Sequence, residues 1–311
     1  MKAAQINQYG GPEVLQTTND ASKPTAGEGQ VLVEVHAAGV NPFDYKVRSG
    51  AVQAWAPVNF PATLGGDLAG IVSELGDGVT GFQVGDEVYG QANAVSGVGS
   101  YAEFTPVKAQ SLAAKPKSLD FATAAAVPLA ASSARQALVD HIGLQAGQKI
   151  LIHGGAGGIG IFAVQIAKQL GAHVATTVSG DDIEFAQQLG ADEAIDYKTQ
   201  DFTTLVQDYD AVFDTVGGEN ITKSFAVLKE GGVLVTMNGQ PDEELAKQHG
   251  VTAIGQMTHV TSEGLAEIAQ WIDDGAVKVF VDKTFPLEQA GDAQAYIESG
   301  SHRGKVVIEV K

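Results

Sequence analysis

The segment Lys149–Gly160, with the sequence KILIHGGAGGIG, constrains the fold of this chain more than any other feature. Its first five residues are typical of a short, buried parallel strand, and the amphipathic stretch Ile159–Leu170 is typical of a helix. Between them, Gly155, Gly157 and Gly160 fit the pattern G-x-G-x-x-G. Such glycines allow a tight turn, close approach of the backbone to a pyrophosphate, and close helix–strand packing. The segment therefore predicts a dinucleotide-binding turn.

A second stretch, Gly97–Ala102, also fits a loose G-x-G-x-x-A pattern. It follows a loop rich in Gly, Asn and Ser, and no helical pattern begins after it. We therefore interpret it as a loop that leads into a strand over Tyr101–Pro106, and not as a nucleotide site.

Composition restricts the class of protein. The chain has 311 residues, 44% of them hydrophobic, which is typical of a globular protein of two domains. There is no apolar run of membrane-spanning length and no apolar export signal in the opening MKAAQINQYGG, so we expect a soluble cytoplasmic protein without a membrane partner. The absence of cysteine excludes disulfides, cysteine-bound zinc and thiol catalysis. The net charge of −18 argues against nucleic acid as a partner.

The pattern of the chain changes at about Pro116. Before it, short Val-rich alternating runs bounded by Gly and Pro favour an antiparallel β domain. After it, the Ala-rich stretch Phe121–Val139 favours helix, and from Lys149 onward strand-like and helical segments alternate, which predicts a doubly wound parallel sheet. The strands expected after the first are His173–Val178, Glu193–Tyr197, Tyr209–Val216, Gly232–Met237 and Val251–Met257.

The tail Val277–Val310 returns to strand-like sequence, and we expect it to pair with the N-terminal domain. The predicted organisation is therefore a β-rich catalytic domain of residues 1–118 and 262–311, into which a dinucleotide-binding domain of residues 119–261 is inserted.

The end of the second predicted strand bears on the choice of cofactor. Enzymes that prefer NAD usually carry Asp or Glu there to bind the ribose 2′-hydroxyl, and this chain has Thr177. Without an acid a 2′-phosphate is permitted, and Ser179 could donate a hydrogen bond to it, so we favour NADP(H). NAD stays open because Asp181 and Asp182 follow and no Lys or Arg is near in sequence. Tyr197, which ends the third strand, is a further candidate contact for the ribose or its phosphate.

Several ordered motifs resemble the medium-chain dehydrogenase/reductase superfamily along nearly the whole chain. Within it, the chain is most similar to the zinc-independent quinone oxidoreductases and the related alkenal/enone reductases. Besides the glycine turn, the motifs are Ala38–Asp44 with Arg48–Gly50, Gly65–Gly70, Val84–Gly90, Ala126–Leu129, Leu189–Asp192, Phe213–Gly218 and His302–Val307. The resemblance implies an α/β fold in which a Rossmann-type doubly wound parallel sheet is inserted into a β-rich, GroES-like catalytic domain. It also implies a homodimer.

The chain differs from the metal-dependent members of the superfamily at the positions that bind zinc in those enzymes. Asn41 stands where the metal-dependent alcohol dehydrogenases carry a zinc-binding Cys, and Gly66-Asp67 stand where they carry a His-Glu pair. Asparagine is a poor zinc ligand and the histidines show no ligand spacing, so we expect no metal. Reduction of a quinone or an α,β-unsaturated carbonyl depends less on a Lewis acid, because the negative charge delocalises through the conjugated system. We therefore expect an NADPH-dependent reductase of such small molecules.

The resemblance also implies site residues. It places Asn41 beside the nicotinamide, which we favour over the alternative of a turn residue before Pro42. Tyr45 is the nearest phenol that could protonate an enolate, or it is a packed aromatic. Asp44 and Arg48 are spaced for an ion pair on one helix face. Ser133 stands where relatives carry a Thr that contacts the nicotinamide ribose. The expected cofactor contacts are Asn41, Ser133, Gly155, Gly157, Gly158, Ile159, Gly160, Ser179, Tyr197, Val216, Asn238 and Gly239.

Two other functions remain open at this stage. One is an enoyl-thioester reductase, which is disfavoured because Val52 stands where many such relatives carry a Tyr after the R-x-G motif. The other is a non-catalytic NADP(H)-binding regulatory protein, which the glycine turn fits as well as it fits an enzyme.

Overall fold

The structure is a computed structural model that describes residues 1–300 and 302–311. The strands are β1 Ala3–Ile6, β2 Gln16–Thr18, β3 Gln30–Val40, β4 Ala62–Thr63, β5 Asp67–Leu75, β6 Glu87–Gln91, β7 Phe104–Lys108, β8 Leu112–Ala114, β9 Lys149–His153, β10 His173–Val178, β11 Glu193–Asp196, β12 Tyr209–Asp214, β13 Leu228–Thr236, β14 Thr252–Gly255, β15 Val281–Pro286 and β16 Lys305–Glu309. The helices are α1 Pro42–Ser49, α2 Phe121–Ala125, α3 Pro128–Arg135, α4 Gly160–Gln169, α5 Ile183–Gln188, α6 Glu219–Ser224, α7 Glu243–His249, α8 Ser262–Asp273 and α9 Ala290–Glu298. A π-helical segment, Gln136–His141, follows α3.

The chain forms two compact units. The first comprises Met1–Leu129, Val260–Asp273 and Val279–Lys311, and the second comprises Ala130–His259 and Asp274–Lys278. The first boundary lies beyond the predicted 118/119 because α2 packs against β3 and β5 of the first unit. This packing is close, since a Cβ atom on Gly39 would lie 2.3 Å from the carbonyl oxygen of Ala125.

The second unit contains the predicted doubly wound sheet. Its six parallel strands lie in the order β11-β10-β9-β12-β13-β14, so the chain runs outward from β9 in one direction and then returns to build the other half. Residues 150–153 of β9 are fully buried, as expected for a central strand covered on both faces. Ligands bind such sheets at the carboxyl ends of the strands where the order reverses, which here is beside β9 and β12.

The first unit is built mainly of antiparallel strands. A seven-stranded sheet has the order β15-β16-β3-β5-β6-β8, with β7 paired to a further stretch of β3, and a smaller sheet has the order β2-β1-β4. The tail returns to the N-terminal part as predicted, because β16 pairs antiparallel with β3 and aligns Val306 with Val40. Apolar side chains such as Val33, Leu68 and Ile308 are fully buried in the core of this unit.

Two expectations about local structure were incomplete. The tail is not strand-like throughout: it also contains α9, whose Ala290, Ala293 and Ile297 are spaced for one helix face and are buried. The strand predicted at Tyr101–Pro106 begins later, at Phe104, while Gly97–Ala102 lies outside any helix. None of the helices within residues 1–300 and 302–311 has both the length and the apolar character needed to cross a bilayer.

Candidate functional site

The glycine turn after β9 has the geometry that a dinucleotide requires. A Cβ on Gly155 would lie 2.2 Å from Oγ1 of Thr176, and a Cβ on Gly160 would lie 2.0 Å from the carbonyl oxygen of Gly154. These two glycines therefore allow the turn to pack on β10 and α4 to approach β9. A Cβ on Gly157 would meet a single atom, 3.3 Å away. The space in front of Gly157 is thus open, as the close approach of a phosphate requires.

The start of α4 presents unused donors at this open position. Among the described residues, the N–H groups of Gly158 and Ile159 donate to no protein acceptor. The N–H of Gly157 is used inside the turn, where it donates to Gly154. Unpaired N–H groups and the helix dipole together favour an anion at a helix N-terminus. The turn can therefore hold a pyrophosphate.

His153, directly before the turn, is a structural residue. Its Nδ1 lies 3.0 Å from Oγ1 of Thr177, its Nε2 lies 3.0 Å from Oγ of Ser224, and the ring is fully buried. The Ser224 hydroxyl donates to the carbonyl of Asn220, so it accepts from Nε2–H of the histidine. Thr177 then donates to Nδ1 and accepts from the N–H of Gly154. This network ties the neutral imidazole to the turn.

Protonation of His153 is expected to destabilise the protein. Burial lowers the pKa of His153 from 6.5 to about 4, so the unfolded chain binds the proton first. Stability should fall as pH decreases from about 6.5 to 4, with a loss of about 3 kcal/mol from this residue. In urea unfolding at several pH values, His153→Gln should remove that share of the pH dependence. His173→Gln, at a partly exposed position, is the control for the loss of a histidine as such. Equal slopes in wild type and His153→Gln would refute this assignment.

Asp214, at the end of β12, organises the neighbouring strand ends. Its buried carboxylate accepts the N–H groups of Val216 and Gly217, at 3.2 and 3.0 Å, and the hydroxyl of Thr236 at 2.7 Å. Asn238 donates from Nδ2 to the carbonyl of Thr215 over 2.8 Å. These contacts bring the predicted residues Val216 and Asn238 to the same edge as the glycine turn.

Two glycines also lie at this edge: Gly154, which follows β9, and Gly239, which follows β13. A Cβ on Gly154 would lie 3.0 Å from Val216 Cγ2. Gly239, also predicted, has a φ of +102°, which a side chain rarely adopts, and the space around it is open.

The predicted residue Ser133 lies on α3 and is fully buried. Its hydroxyl lies 2.7 Å from Oγ1 of Thr258, which follows β14. Gln256 donates from Nε2 to the Ser133 carbonyl over 3.0 Å, and its own N–H donates to Thr236. Ser133 is therefore linked to the carboxyl ends of β13 and β14, but its side chain is covered by protein.

The residues predicted to read the ribose phosphate lie at the ends of β10 and β11. The Ser179 hydroxyl donates to Oδ2 of Asp182 over 2.6 Å, so this donor is already used within the protein. Tyr197 donates its backbone N–H to Val178, while its side chain is 61% exposed. Asp196 also lies here, with Oδ2 3.0 Å from the position of a Cβ on Gly180. The neighbourhood is therefore acidic.

In the first unit, Asn41 forms the N-cap of α1. Pro42 occupies the first helical position and Gly50 ends the helix with a φ of +80°. The Asn41 side chain is 3% exposed and donates from Nδ2 to Oδ2 of Asp67 over 2.9 Å, while Lys305 donates to its Oδ1. Asn41 thus lies between the end of β3 and the start of α1, as an Asn-Pro turn predicts, and its amide is held by two side chains.

The predicted Asp44–Arg48 ion pair was wrong. Asp44 accepts from the N–H of Asn41 at 2.8 Å and from the hydroxyl of Tyr101 at 2.9 Å. Arg48 is buried and points to α9, where it donates to Gln294 at 2.8 Å and pairs with Glu298 at 2.9 Å. Tertiary partners thus replace the helix-surface contact. Burial raises the pKa of Asp44 from 3.8 to about 7, although the bonds from Asn41 and Tyr101 lower it.

Tyr45 follows on the same helix and is half-buried. Its ring packs against the core of the first unit, and its pKa is raised by burial and by the charge of Glu298. Its position therefore agrees with the packed aromatic that the sequence left open, and the raised pKa keeps the phenol protonated.

Asn41 and Asp67, which stand where the metal-dependent members of the superfamily carry zinc ligands, do not suit a cation. No group of three or more His, Asp or Glu side chains that could hold a metal occurs in residues 1–300 and 302–311. Around Asn41, the amide oxygen is already occupied by the Lys305 ammonium, and Asp67 is used by the amide nitrogen and by the N–H of Leu129. A cation at this point would meet a positive charge in place of a free ligand.

Comparison with known proteins identifies the family. Residues 27–117 match the alcohol dehydrogenase GroES-like domain, and residues 189–308 match the family described as zinc-binding dehydrogenase. The chain is 39% identical over 320 residues to the 2-methylene-furan-3-one reductase of Solanum lycopersicum, covering 99% of this chain and 79% of that protein. It is also 39% identical over 319 residues to the NADPH-dependent alkenal/one oxidoreductase, chloroplastic, of Arabidopsis thaliana, with the same coverage of 99% and 79%.

A solved structure agrees with these relatives. The quinone oxidoreductase from Coxiella burnetii superposes with a TM-score of 0.93 at 36% identity, covering 100% of this chain and 99% of that one. The chain therefore belongs to the medium-chain dehydrogenase/reductase superfamily, in its group of quinone oxidoreductases and alkenal/one oxidoreductases.

Proposed function

We propose that this chain is an NADPH-dependent, zinc-free oxidoreductase that reduces a quinone or the conjugated double bond of an α,β-unsaturated carbonyl. The observation that carries the proposal is the glycine turn, with Gly157 open and the N–H groups of Gly158 and Ile159 available for a pyrophosphate. The relatives that bear such activities in their names match almost the entire chain.

The residues proposed to hold the cofactor divide along the sheet edge. The turn would bind the pyrophosphate, Ser179 and Tyr197 the phosphorylated ribose, and Val216, Asn238 and Gly239 the nicotinamide half. Ser133 would also bind the nicotinamide half, which requires its hydroxyl to become accessible and to exchange its contact with Thr258. NADPH, when bound, supplies a hydride equivalent. Because Ser179 is bonded to Asp182, binding of a 2′-phosphate would require this hydroxyl to change partner.

We propose that the acceptor's oxygen is stabilised by a protein hydrogen bond and not by a metal. Asn41 is the proposed donor, and its amide is held between Asp67 and Lys305. Tyr45 is a proposed proton source for the resulting enolate; Tyr45→Phe should then lower kcat, whereas a purely packed ring would tolerate the change.

A steady-state assay tests the function. Purified protein is mixed with NADPH or NADH and a panel of quinones, alkenals, enones and crotonyl thioester, and nicotinamide absorbance is followed. We expect turnover of quinones or enones and little with the thioester. Tight NADPH binding without turnover of any acceptor would support a non-catalytic role and refute the enzyme.

The cofactor preference is tested by the same protein. We expect NADPH to bind more tightly than NADH. Ser179→Ala should weaken NADPH by about tenfold, the value of one hydrogen bond to a charged group, and leave NADH unchanged. Equal effects on both cofactors would contradict a role in 2′-phosphate recognition.

The assembly and the location are also proposals. We infer a homodimer in the cytoplasm, which sedimentation equilibrium and cell fractionation would test. A monomer over the working concentration range would contradict the first.

A further inference from the structure

The Asn41 side chain lies between two buried groups of opposite charge. Its Nδ2 donates to Oδ2 of Asp67 over 2.9 Å, and its Oδ1 accepts from Nζ of Lys305. The three side chains belong to residues that are 3%, 0% and 4% exposed. Strand pairing brings Lys305 here, because Val306 aligns with Val40, the residue before Asn41.

Both charged groups are also held by other bonds. Lys305 donates to the carbonyl of Val40 at 3.1 Å, and Asp67 accepts from the N–H of Leu129 at 3.1 Å and from Nε2 of Gln91 at 3.4 Å. Burial raises the pKa of Asp67 and lowers the pKa of Lys305, while the opposite charge of each works against the shift in the other. The ammonium and the carboxylate are thus fixed on either side of the amide.

These charges select one orientation of the amide. Rotating an asparagine amide by half a turn exchanges its oxygen and its NH2 group. Here the rotated form would place NH2 against the Lys305 ammonium and the oxygen against the Asp67 carboxylate. Both contacts would become repulsive in a site with little water to compensate. Asn41 therefore has a single favourable orientation.

That orientation leaves one donor. Nδ2 carries two hydrogens, and Asp67 takes one of them. The ammonium on Oδ1 draws electron density from the amide and strengthens the remaining N–H as a donor. If NADPH supplies the hydride and is oxidised to NADP+, a C–H bond forms at the β-carbon of an enone. The electron pair of the C=C π bond then shifts to the bond between the α-carbon and the carbonyl carbon, and the C=O π pair moves onto the carbonyl oxygen. A donor fixed in advance stabilises that charge, and a proton delivered by Tyr45 or directly by solvent completes the two-electron reduction.

We propose that Asp67 and Lys305 are positioning residues that hold the Asn41 amide so that its second N–H donates to the carbonyl oxygen of the acceptor. The proposal rests on the proposed reductase function. In the metal-dependent members of the superfamily, zinc stabilises the negative charge on the substrate oxygen. Here the positive charge of Lys305 would contribute to that stabilisation through the Asn41 amide, without contacting the acceptor.

A double-mutant cycle tests whether Lys305 acts through Asn41. Asn41→Ala should lower kcat with a quinone or enone about 100-fold, the usual effect of removing one oxyanion donor. Lys305→Met should lower it about 10- to 100-fold, and the double variant should be no slower than Asn41→Ala. Asp67→Asn, which preserves shape, should show the same non-additivity and serves if Lys305→Met does not fold.

Two measurements separate positioning from general damage. The Kd for NADPH by fluorescence titration should change less than about threefold in Lys305→Met and Asp67→Asn, within the spread of indirect effects, because these two residues are proposed to act only through Asn41. Lys115→Met is the matched control: Lys115 is a 6%-exposed lysine of the same unit, paired with Glu87 at 3.2 Å. It should lower the melting temperature without a comparable fall in kcat.

Four results would overturn the proposal. Effects of Asn41→Ala and Lys305→Met that multiply would show that the lysine acts independently of the amide. A fall in kcat for Lys115→Met equal to that for Lys305→Met would indicate destabilisation alone. If wild type binds NADPH but turns over no acceptor, the proposed function fails and this role fails with it, whereas turnover by wild type with unaltered kcat in Lys305→Met overturns this role only.

Discussion

Gly160→Ala is expected to weaken cofactor binding strongly and to destabilise the protein by about 3 kcal/mol, as overpacking against an unyielding neighbour does. The new Cβ would lie 2.0 Å from the carbonyl oxygen of Gly154 and 2.7 Å from Cα of Gly155, and these backbone atoms belong to the turn itself. Relief would require α4 to move away from β9. The N–H groups that hold a pyrophosphate would then be displaced, which should weaken NADPH by about 100-fold.

Gly157→Ala is the matched control for this experiment. Its Cβ would meet a single atom at 3.3 Å, so the free energy of unfolding should change by less than about 1 kcal/mol. The methyl group would enter the open space in front of the turn, and NADPH binding should still weaken by about tenfold or more. Urea unfolding and fluorescence titration measure the two effects separately. If Gly157→Ala binds NADPH as wild type does, the pyrophosphate does not lie against this glycine.

Asp44→Asn is expected to change the pH dependence of stability in the opposite sense to His153→Gln. The pKa of Asp44 is raised to about 7 by burial, so the folded protein holds this proton more tightly than the unfolded chain. The stability that Asp44 contributes is complete below its unfolded pKa of 3.8 and is lost as pH rises through about 7. Between about pH 5 and pH 8 the loss that comes from Asp44 should be about 3 kcal/mol in wild type, where His153 partly offsets it below about pH 6.5, and absent in the variant.

The measurement is urea unfolding of wild type and Asp44→Asn at intervals across that range. Asparagine can still accept from the Asn41 N–H and the Tyr101 hydroxyl, so the helix start should persist. Asp77→Asn, at an exposed position, is the control and should leave the slope of wild type. A slope in Asp44→Asn identical to that of wild type would mean that Asp44 is ionised at neutral pH. Because Asp44 and His153 oppose each other, wild type alone would show a deceptively flat profile.

The sheet and its turn could be predicted because local sequence determines them. The apolar strand, the glycines and the helix of Lys149–Leu170 are contiguous, so spacing alone specifies the geometry found at Gly155, Gly157 and Gly160. The return of the tail to the N-terminal part could also be predicted, from the strand-like sequence within Val277–Val310, although the antiparallel direction of the pairing could not. Patterns of period two or of helical period carry this information directly.

The buried polar network could not be predicted in the same way. Lys305 and Asn41 are 264 residues apart, and only the pairing of β16 with β3 brings them together. One signal was present, since a lysine directly before the apolar run Val306–Ile308 is out of place at a buried strand position. For Arg48, a local contact was predicted and a distant one is found. Its spacing from Asp44 predicts a pair on one helix face, but its partners lie on α9, a helix that was not predicted.

The role of Asp214 could not be predicted from the sequence. It stands inside a recognised motif, Phe213–Gly218, yet its function is to accept N–H groups from its own loop and the hydroxyl of Thr236 on the next strand. Such a role depends on which strands are neighbours, and the order of strands becomes known only once the sheet is assembled. The same holds for Gln256 beneath Ser133.

The most direct test of hydride transfer from NADPH to a conjugated acceptor is to follow deuterium from the cofactor into the product. NADPH deuterated at the transferable position of the nicotinamide is mixed with the protein and an enone in a single turnover, and the product is examined by NMR. We expect deuterium at the former β-carbon and a solvent-derived hydrogen at the α-carbon. A reduced enone with no deuterium at the β-carbon would contradict the proposed reductase function. So would the absence of any reduction when the same NADPH and protein are mixed, in separate reactions, with an enone and with a quinone.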